Sequence, residues 1–274
     1  MSNSNPADWV GHSEHCVDNL DIGHAEQVAF SLGDPAPVVG AALPPLWHWA
    51  FFVRSQPYES LGQDGHPHRG GFMPPADHRN RMWAGGRVDF LQPLRVGTPA
   101  ERRSSVKGVV EKEGRTGKLL FVTVAHEYVQ DGAVCIAEEQ DIVYREPSPP
   151  RLAGTKPVPQ AQWSETVTPD AVRLFRYSAV TFNGHRIHYD LAYVRDVEGY
   201  PGLVVHGPLI ATLMLRAFTR AHPEKRVRSM SYRGLRPLIA PTPFEVAGRS
   251  DAADTAQLWA GQDGTLAHSA EIRF

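Results

Sequence analysis

The chain has 274 residues, of which 42% are hydrophobic and 21% charged, with 28 Lys plus Arg against 30 Asp plus Glu and a formal net charge of −2. That composition suits an ordered globular protein, lacks the basic excess of a nucleic-acid binder, and contains no apolar run near the roughly 20 residues a membrane-spanning helix needs. The opening MSNSNPADWVGHSEH has neither the basic nor the apolar region of a signal peptide, and Cys16 and Cys135 are too few for a disulfide framework, so the sequence points to a cytoplasmic protein.

In chain order, residues 21–32, DIGHAEQVAFSL, form a short predicted helix. Gly33 stops it, because glycine takes the left-handed cap without a Cβ clash. Residues 119–129 and 134–144 are strand-like runs on either side of Asp131-Gly132, a hairpin signal. Residues 146–159, EPSPPRLAGTKPVP, carry five prolines and little apolar content. Proline lacks the N–H that a ladder needs, so this stretch is an extended connector. It divides the chain into a first domain over 1–145, a linker over 146–160 and a second domain over 161–274. Residues 208–221, PLIATLMLRAFTRA, are the clearest helix. Pro208 suits the first helical position, and Leu209, Ile210, Leu213, Met214, Leu215 and Phe218 cover more than one face, which predicts burial. Residues 255–260 and 265–274 repeat the hairpin around Gly261–Gly264. A buried helix beside antiparallel strands implies a sheet wrapped around it, an α+β arrangement.

A repeat lies within this order. Residues 88–99, VDFLQPLRVGTP, align without gaps on residues 232–243, YRGLRPLIAPTP. Leu91, Pro93, Leu94, Thr98 and Pro99 match Leu235, Pro237, Leu238, Thr242 and Pro243. Further on, Gln130-Asp131-Gly132 matches Gln262-Asp263-Gly264. The offset is 144 (237 − 93) at the first match and 132 (263 − 131) at the second. Solenoid units run about 20–50 residues, so this longer period indicates duplication of a whole domain.

The stretch 175–209 concentrates the chemistry. Asn183, His185, His188 and His206 crowd into it, with Asp190 and Tyr193 close behind. Asn183-Gly184 is a turn, and His206-Gly207-Pro208 leads into the buried helix. The first N–H groups of a helix lack intrahelical acceptors and carry partial positive charge. A carbonyl oxygen becoming an enolate is stabilised there, and a nearby histidine can move a proton near pH 7. Asp190 reads as a helix N-cap before Leu191.

Asn183-Gly184-His185-Arg186-Ile187-His188-Tyr189-Asp190, with Tyr193 and Val205-His206-Gly207-Pro208-Leu209, resembles the MaoC-like, R-specific enoyl-thioester hydratases and dehydratases. Pro44-Pro45-Leu46-Trp47-His48-Trp49, Arg69-Gly70-Gly71-Phe72 and Arg81-Met82-Trp83-Ala84-Gly85-Gly86 resemble the N-terminal half of such proteins. The combination is similar to the type 2 3-hydroxyacyl-thioester dehydratases and the mesaconyl- or itaconyl-CoA hydratases. This resemblance implies a double hot dog: two antiparallel sheets, each wrapped around a central helix. It implies an acyl-CoA substrate, no metal or redox cofactor, and a homodimer formed sheet edge to sheet edge.

The commoner family motif carries Asp and His five positions apart; here those positions are Asn183 and His188, and His185 takes the Asn position. An amide is no base at pH 7. The resemblance therefore assigns proton transfer to His188, with Asn183 holding the water and orienting the imidazole. Backbone N–H groups near Gly207 hold the thioester oxygen, and His206 is a support. Nothing in residues 1–145 repeats the motif, and Pro44–Val53 is too short for a full central helix, so one site per chain is expected. Trp47, Trp49 and Phe72 are candidates for lining an acyl pocket in the first half. Among Arg69, Arg79, Arg81, Arg87, Arg176 and Arg186, the expectation is that Arg186 or Arg81 reaches a CoA phosphate or a substrate carboxylate. His66, His68 and His78 are loosely spaced without HExxH or paired CxxC, so no metal site is expected. Dehydration of medium-chain 3-hydroxyacyl thioesters, a hot-dog thioesterase and a non-catalytic acyl-CoA-binding module are the rival readings.

Overall fold

The structure, a computed structural model, describes residues 5–68, 70–76, 79–114 and 117–274; Arg69 and His78 lie outside the described residues. The first half contributes β1 (Ser13–Asp18), α1 (Ile22–Leu32), β2 (Asn80–Phe90), β3 (Ala100–Gly114), β4 (Gly117–Gln130) and β5 (Ala133–Arg145). The second contributes β6 (Trp163–Val167), α2 (Ala171–Val180), α3 (Leu191–Asp196), α4 (Gly207–Ala221), β7 (Ser229–Gly234), β8 (Phe244–Ala252), β9 (Thr255–Gln262) and β10 (Thr265–Arg273). Residues 146–162 between them hold no helix or strand, only an isolated bridge of Pro157 to Thr265.

All ten strands form one antiparallel sheet in the order β1-β3-β4-β5-β2-β7-β10-β9-β8-β6. The order is a palindrome of two five-strand units, joined where Gly85 to Asp89 of β2 pair with Arg233 to Ser229 of β7. The hot-dog arrangement is thus present in a joined form, its two sheets meeting edge to edge within one chain. Close approach at that seam needs glycine: a Cβ on Gly86 would overlap the Tyr232 ring and the Glu139 carbonyl.

The repeat has a physical basis. The buried side chain of Gln130 accepts from the Arg95 N–H (2.7 Å) and donates to the carbonyls of Arg95 (3.2 Å) and Thr98 (2.9 Å). Gln262 does the same with Ile239 N–H (3.3 Å) and the carbonyls of Ile239 (3.1 Å) and Thr242 (2.7 Å). The two matched motifs therefore touch each other in both halves. Each glutamine satisfies backbone groups that the loop before β3 or β8 would otherwise bury unpaired. Both hairpin turns put Asp then Gly at positive φ (52° and 78° at 131–132, 53° and 68° at 263–264), the geometry a tight hairpin needs.

The halves differ in what fills their concave faces. In the second, α4 lies against β6, β8, β9 and β10, and Leu209, Ile210, Leu213, Met214 and Phe218 are at most 1% exposed. Each such side chain contributes about 1.5–3 kcal/mol of burial. In the first half a 3₁₀ turn at Trp47–Ala50 stands in place of a long helix. Leu119, Val124, Ile142 and Val143 of β4 and β5 line an open cavity instead. The predicted helix at 21–32 is α1, with Asp21 capping the His24 N–H and Gly33 at φ 77°. The helix at 208–221 begins one residue earlier than predicted, at Gly207.

Candidate active site

A cavity of about 1340 Å³ runs between the halves and is walled by both. Asn183 and His188, five residues apart, line the same cavity. His188 ends the 3₁₀ turn Arg186–His188 and is buried. Its Nδ1 donates to the Val204 carbonyl (2.7 Å), and Val204 N–H donates back to the Ile187 carbonyl (3.0 Å). This pairing fixes the tautomer and leaves Nε2, with its lone pair, for the cavity the ring lines. The ring stacks on His206 at 3.6 Å between centroids and 18° between planes. His206 is itself tied through Nε2 to Ser178 Oγ of α2 (2.8 Å), and its buried Nδ1 has no partner among the described residues. Burial pushes the His188 imidazolium down to about 4, against the raising effect of its Val204 bond, and pushes His206 well below its ordinary value with His188 and His185 adding to it. Both rings are therefore neutral at pH 7, and His188 is ready to accept a proton.

The expectation that Asn183 orients the imidazole needs correcting, because Val204 does so. The Asn183 Oδ1 instead accepts the His185 N–H (3.0 Å) and shapes the turn, which leaves its amide N–H groups available to the cavity. Gly207 opens α4, whose first-turn N–H groups have no intrahelical acceptor. Trp83 of β2 covers this helix start so closely that a Cβ on Gly207 would lie 2.6 Å from its ring. Trp83 in turn stacks on Tyr232 (4.6 Å, 19°) and meets the edge of Trp49 (5.6 Å, 85°). Sequence reasoning grouped Trp83 only with the RMWAGG motif; its place against Gly207 depends on the β2–β7 seam.

The other assigned residues divide. Phe72 and Trp49 line the cavity, whereas Trp47 is packed in the core and does not. Arg186 is occupied elsewhere, which corrects its assignment as a substrate contact. Its Nε and Nη2 donate to Asp190 (3.0 and 2.7 Å), its Nη1 donates to the Gln63 carbonyl (3.1 Å), and its guanidinium lies over the Tyr193 ring (4.0 Å). Asp190 caps α3 by accepting the Tyr193 N–H (3.0 Å), as the sequence indicated. Arg81 lines the cavity with no acceptor among the described residues.

A loop of the first half completes the wall. Arg186 N–H donates to the Asp64 carbonyl (3.0 Å), and Gly65, at φ 87°, packs on the Gly184 backbone with no room for a Cβ. This brings His66 to 4.3 Å from His185, whose ring is 5.4 Å from His188 in an edge-on contact (centroid distances). His66 Nδ1 donates to Asp64 Oδ2 (3.1 Å). One ligand atom each from Asp64, His66 and His185 lies within 4.8 Å of the others. In the sequence the same histidine was visible only as part of a loose DGHPH run.

Residues 46–240 match the family described as hydroxyacyl-thioester dehydratase type 2. The chain is 44% identical over 281 aligned positions, covering 100% of it and 99% of the relative, to mesaconyl-C(4)-CoA hydratase of Chloroflexus aurantiacus. It is 30% identical over 246 positions, 80% of each chain, to the mitochondrial hydroxyacyl-thioester dehydratase type 2 of Schizosaccharomyces pombe. Among solved structures, the MaoC-like dehydratase of Phytophthora capsici has the same fold (TM-score 0.72, 13% identity, 98% of this chain and 97% of that one). A clamped imidazole beside a glycine-opened helix, in a chain alike from end to end to a hydratase, identifies this protein as a hydro-lyase that belongs to the hydroxyacyl-thioester dehydratase type 2 family.

Proposed function

We propose that the protein hydrates a 2-enoyl-CoA reversibly, and that its substrate is a short branched dicarboxylic acyl-CoA of the mesaconyl or itaconyl type. The observation that carries the reaction is the Nδ1–Val204 hydrogen bond, which presents a neutral Nε2 to a cavity that also holds the start of α4. The thioester oxygen sits against the first N–H groups of α4, where charge develops as the enolate forms. Water held by Asn183 adds its oxygen to Cβ while His188 Nε2 takes the proton. The π pair moves onto the thioester oxygen, then returns to form a C–H bond at Cα. An acid in the cavity wall supplies that proton, so that one water is added in all. The thioester itself acidifies Cα. Addition from one face follows if the water and both proton positions lie on the His188 side of the substrate.

The substrate class rests on the Chloroflexus relative and on Arg81, a cation in the cavity wall whose fork fits a carboxylate. A second reading has its own observation. About 1340 Å³ is far more than a five-carbon acyl group fills, which favours a medium-chain 3-hydroxyacyl thioester. One assay separates these readings: a panel of enoyl-CoAs with and without a second carboxylate, followed both by loss of enoyl-thioester absorbance and by free-thiol release. Fast loss of absorbance with the dicarboxylic members, without thiol, is the expected result. Preference for longer neutral chains selects the second reading, thiol release selects a thioesterase, and no change in either signal selects a binding module. The reading includes a homodimer through the two free sheet edges, β1 or β6, which sedimentation tests.

A further inference from the structure

The carboxylate–imidazole pair of this site comes from the other half of the chain. We infer that His66, hydrogen-bonded to Asp64, is a second acid/base group of the hydration reaction, standing in the same cavity wall as His188 with His185 between them. The inference rests on the hydratase reading above.

Three observations carry it. First, Asn183 has no proton to take or give at neutral pH, so its position supplies no acid or base beside His188. Second, the three rings form a continuous row in the cavity wall: His66 lies 4.3 Å from His185, which lies 5.4 Å from His188 (centroid distances). Third, the loop that carries His66 is built against the site. The Asp64 carbonyl receives the Arg186 N–H at 3.0 Å, the Gln63 carbonyl receives Arg186 Nη1 at 3.1 Å, and Gly65 fits against Gly184 where no side chain could. Asp64 is oriented twice, accepting the His66 N–H (3.0 Å) on one oxygen and His66 Nδ1 (3.1 Å) on the other. Burial alone would raise its carboxyl, but His66 outweighs this and holds it far below the carboxylate range. Burial, with the charges of His66, His188 and Arg81 set against Asp64, keeps His185 neutral.

The proton balance closes. As the C–O bond forms at Cβ, His188 Nε2 takes the water proton. As the enolate pair returns to Cα, the His66 imidazolium donates its proton there, having been offset in charge by Asp64 until then. Exchange with solvent then discharges His188 and recharges His66. One water is consumed and the side chains return to their starting state. His66 is the catalytic residue; Asp64 acts through it as a positioning residue.

The test compares wild type with His66→Ala, Asp64→Asn and Gly65→Ala in full-length protein, on the enoyl-CoA that wild type hydrates fastest. His66→Ala should lower kcat about 100-fold with KM within about threefold, and added imidazole should restore part of the rate, as for a lost acid/base group. Asp64→Asn should lower kcat about tenfold, again without a matching change in KM. Gly65→Ala keeps both groups but lifts the loop, so kcat should fall without imidazole rescue. A His66→Ala enzyme with wild-type kcat, or with only KM raised, overturns the inference and leaves the hydratase reading standing. Loss of activity on dialysis against EDTA, restored by zinc, makes Asp64, His66 and His185 a cation site and also overturns it. A wild-type protein that hydrates no enoyl-CoA removes both claims.

Discussion

The two halves share a sheet plan and a glutamine clamp, yet they bury opposite things. The second half encloses a long apolar helix and hangs its polar chemistry on the turn before that helix. The first half has only the Trp47–Ala50 turn in the corresponding place and encloses a carboxylate. Glu138 is buried and accepts from Trp49 Nε1 (2.7 Å), Tyr128 (3.1 Å) and Gln140 (2.9 Å), with His48 at 3.3 Å. Burial pushes its carboxyl up, but the bond and charge of His48, with His126 nearby, outweigh that and hold it down to about 2. Once a duplicated sheet no longer has to cover a helix, its concave face is free to become a cavity. What remains must then be held by a polar network, because there is too little apolar cover. One half keeps a packed central helix; the other turns its concave face to the cavity.

The sharpest test of this division exchanges the expected losses. His188→Ala should lower hydration about 10²–10⁴-fold while leaving the thermal midpoint near that of wild type; steady-state kinetics and a melt on the same sample check both. Glu138→Ala should do the reverse in stability, costing about 3–5 kcal/mol because His48 and four hydrogen-bond donors, Trp49, Tyr128, Gln140 and Tyr232, lose their buried partner. A Glu138→Ala protein that melts like wild type would break the account of the first half.

Arg81→Ala should raise KM about tenfold for a dicarboxylic enoyl-CoA and less for a neutral one, the scale of one lost hydrogen bond to a charged group. Equal increases would move Arg81 to a CoA phosphate. Smaller still, Gln130→Ala and Gln262→Ala should each cost about 1–3 kcal/mol, since each strands a backbone N–H and two carbonyls. Denaturant midpoints that differ widely between the two variants would show that the halves are no longer equivalent where the repeat says they are.

The pH dependence of stability has two windows. His126, His188 and His268 are each pushed from 6.5 down to about 4, chiefly by burial. The unfolded chain therefore binds more protons between those values, and stability falls as pH drops from about 6.5 towards 4. Glu138, lowered from 4.5 to about 2, adds stability above 4.5 that is lost as pH falls from there towards 2. Melting curves across pH 2–8 should show a neutral plateau, then a decline beginning near 6.5. A decline that starts only below 4.5 would mean the three histidines are not buried neutral.

Several features were legible before any coordinates because they depend on neighbours along the chain. The hairpins at 131–132 and 263–264 need an Asp-Gly pair at positive φ. The cap at Gly33 and the burial of α4 follow from local chemistry and periodicity. The repeated Leu-Pro-Leu and Gln-Asp-Gly motifs disclosed a duplication, although only the fold shows that the glutamine is what holds the loop. His188 and Gly207 could be singled out together because both lie on one short stretch, and both line the cavity. Arg186 was misassigned for the complementary reason: its real partners, Asp190 and the Gln63 carbonyl, include one that lies 123 positions away. Nothing local distinguishes a free guanidinium from an occupied one. Likewise, no period or spacing brings Asp64, His66 and Trp83 to a site more than 100 residues later. The sequence by itself determined the two Asp-Gly hairpins, the central helix and the stretch before it that carries His188, all effects of backbone geometry and short-range pattern. The tertiary structure alone decided which carbonyl sets the His188 tautomer, which aromatic ring covers the helix start and which loop brings an Asp–His pair to the cavity, because those contacts exist only after segments apart in the chain have docked: Val204 beside His188, Trp83 across the β2–β7 seam, and the Asp64 loop on Gly184 and Arg186.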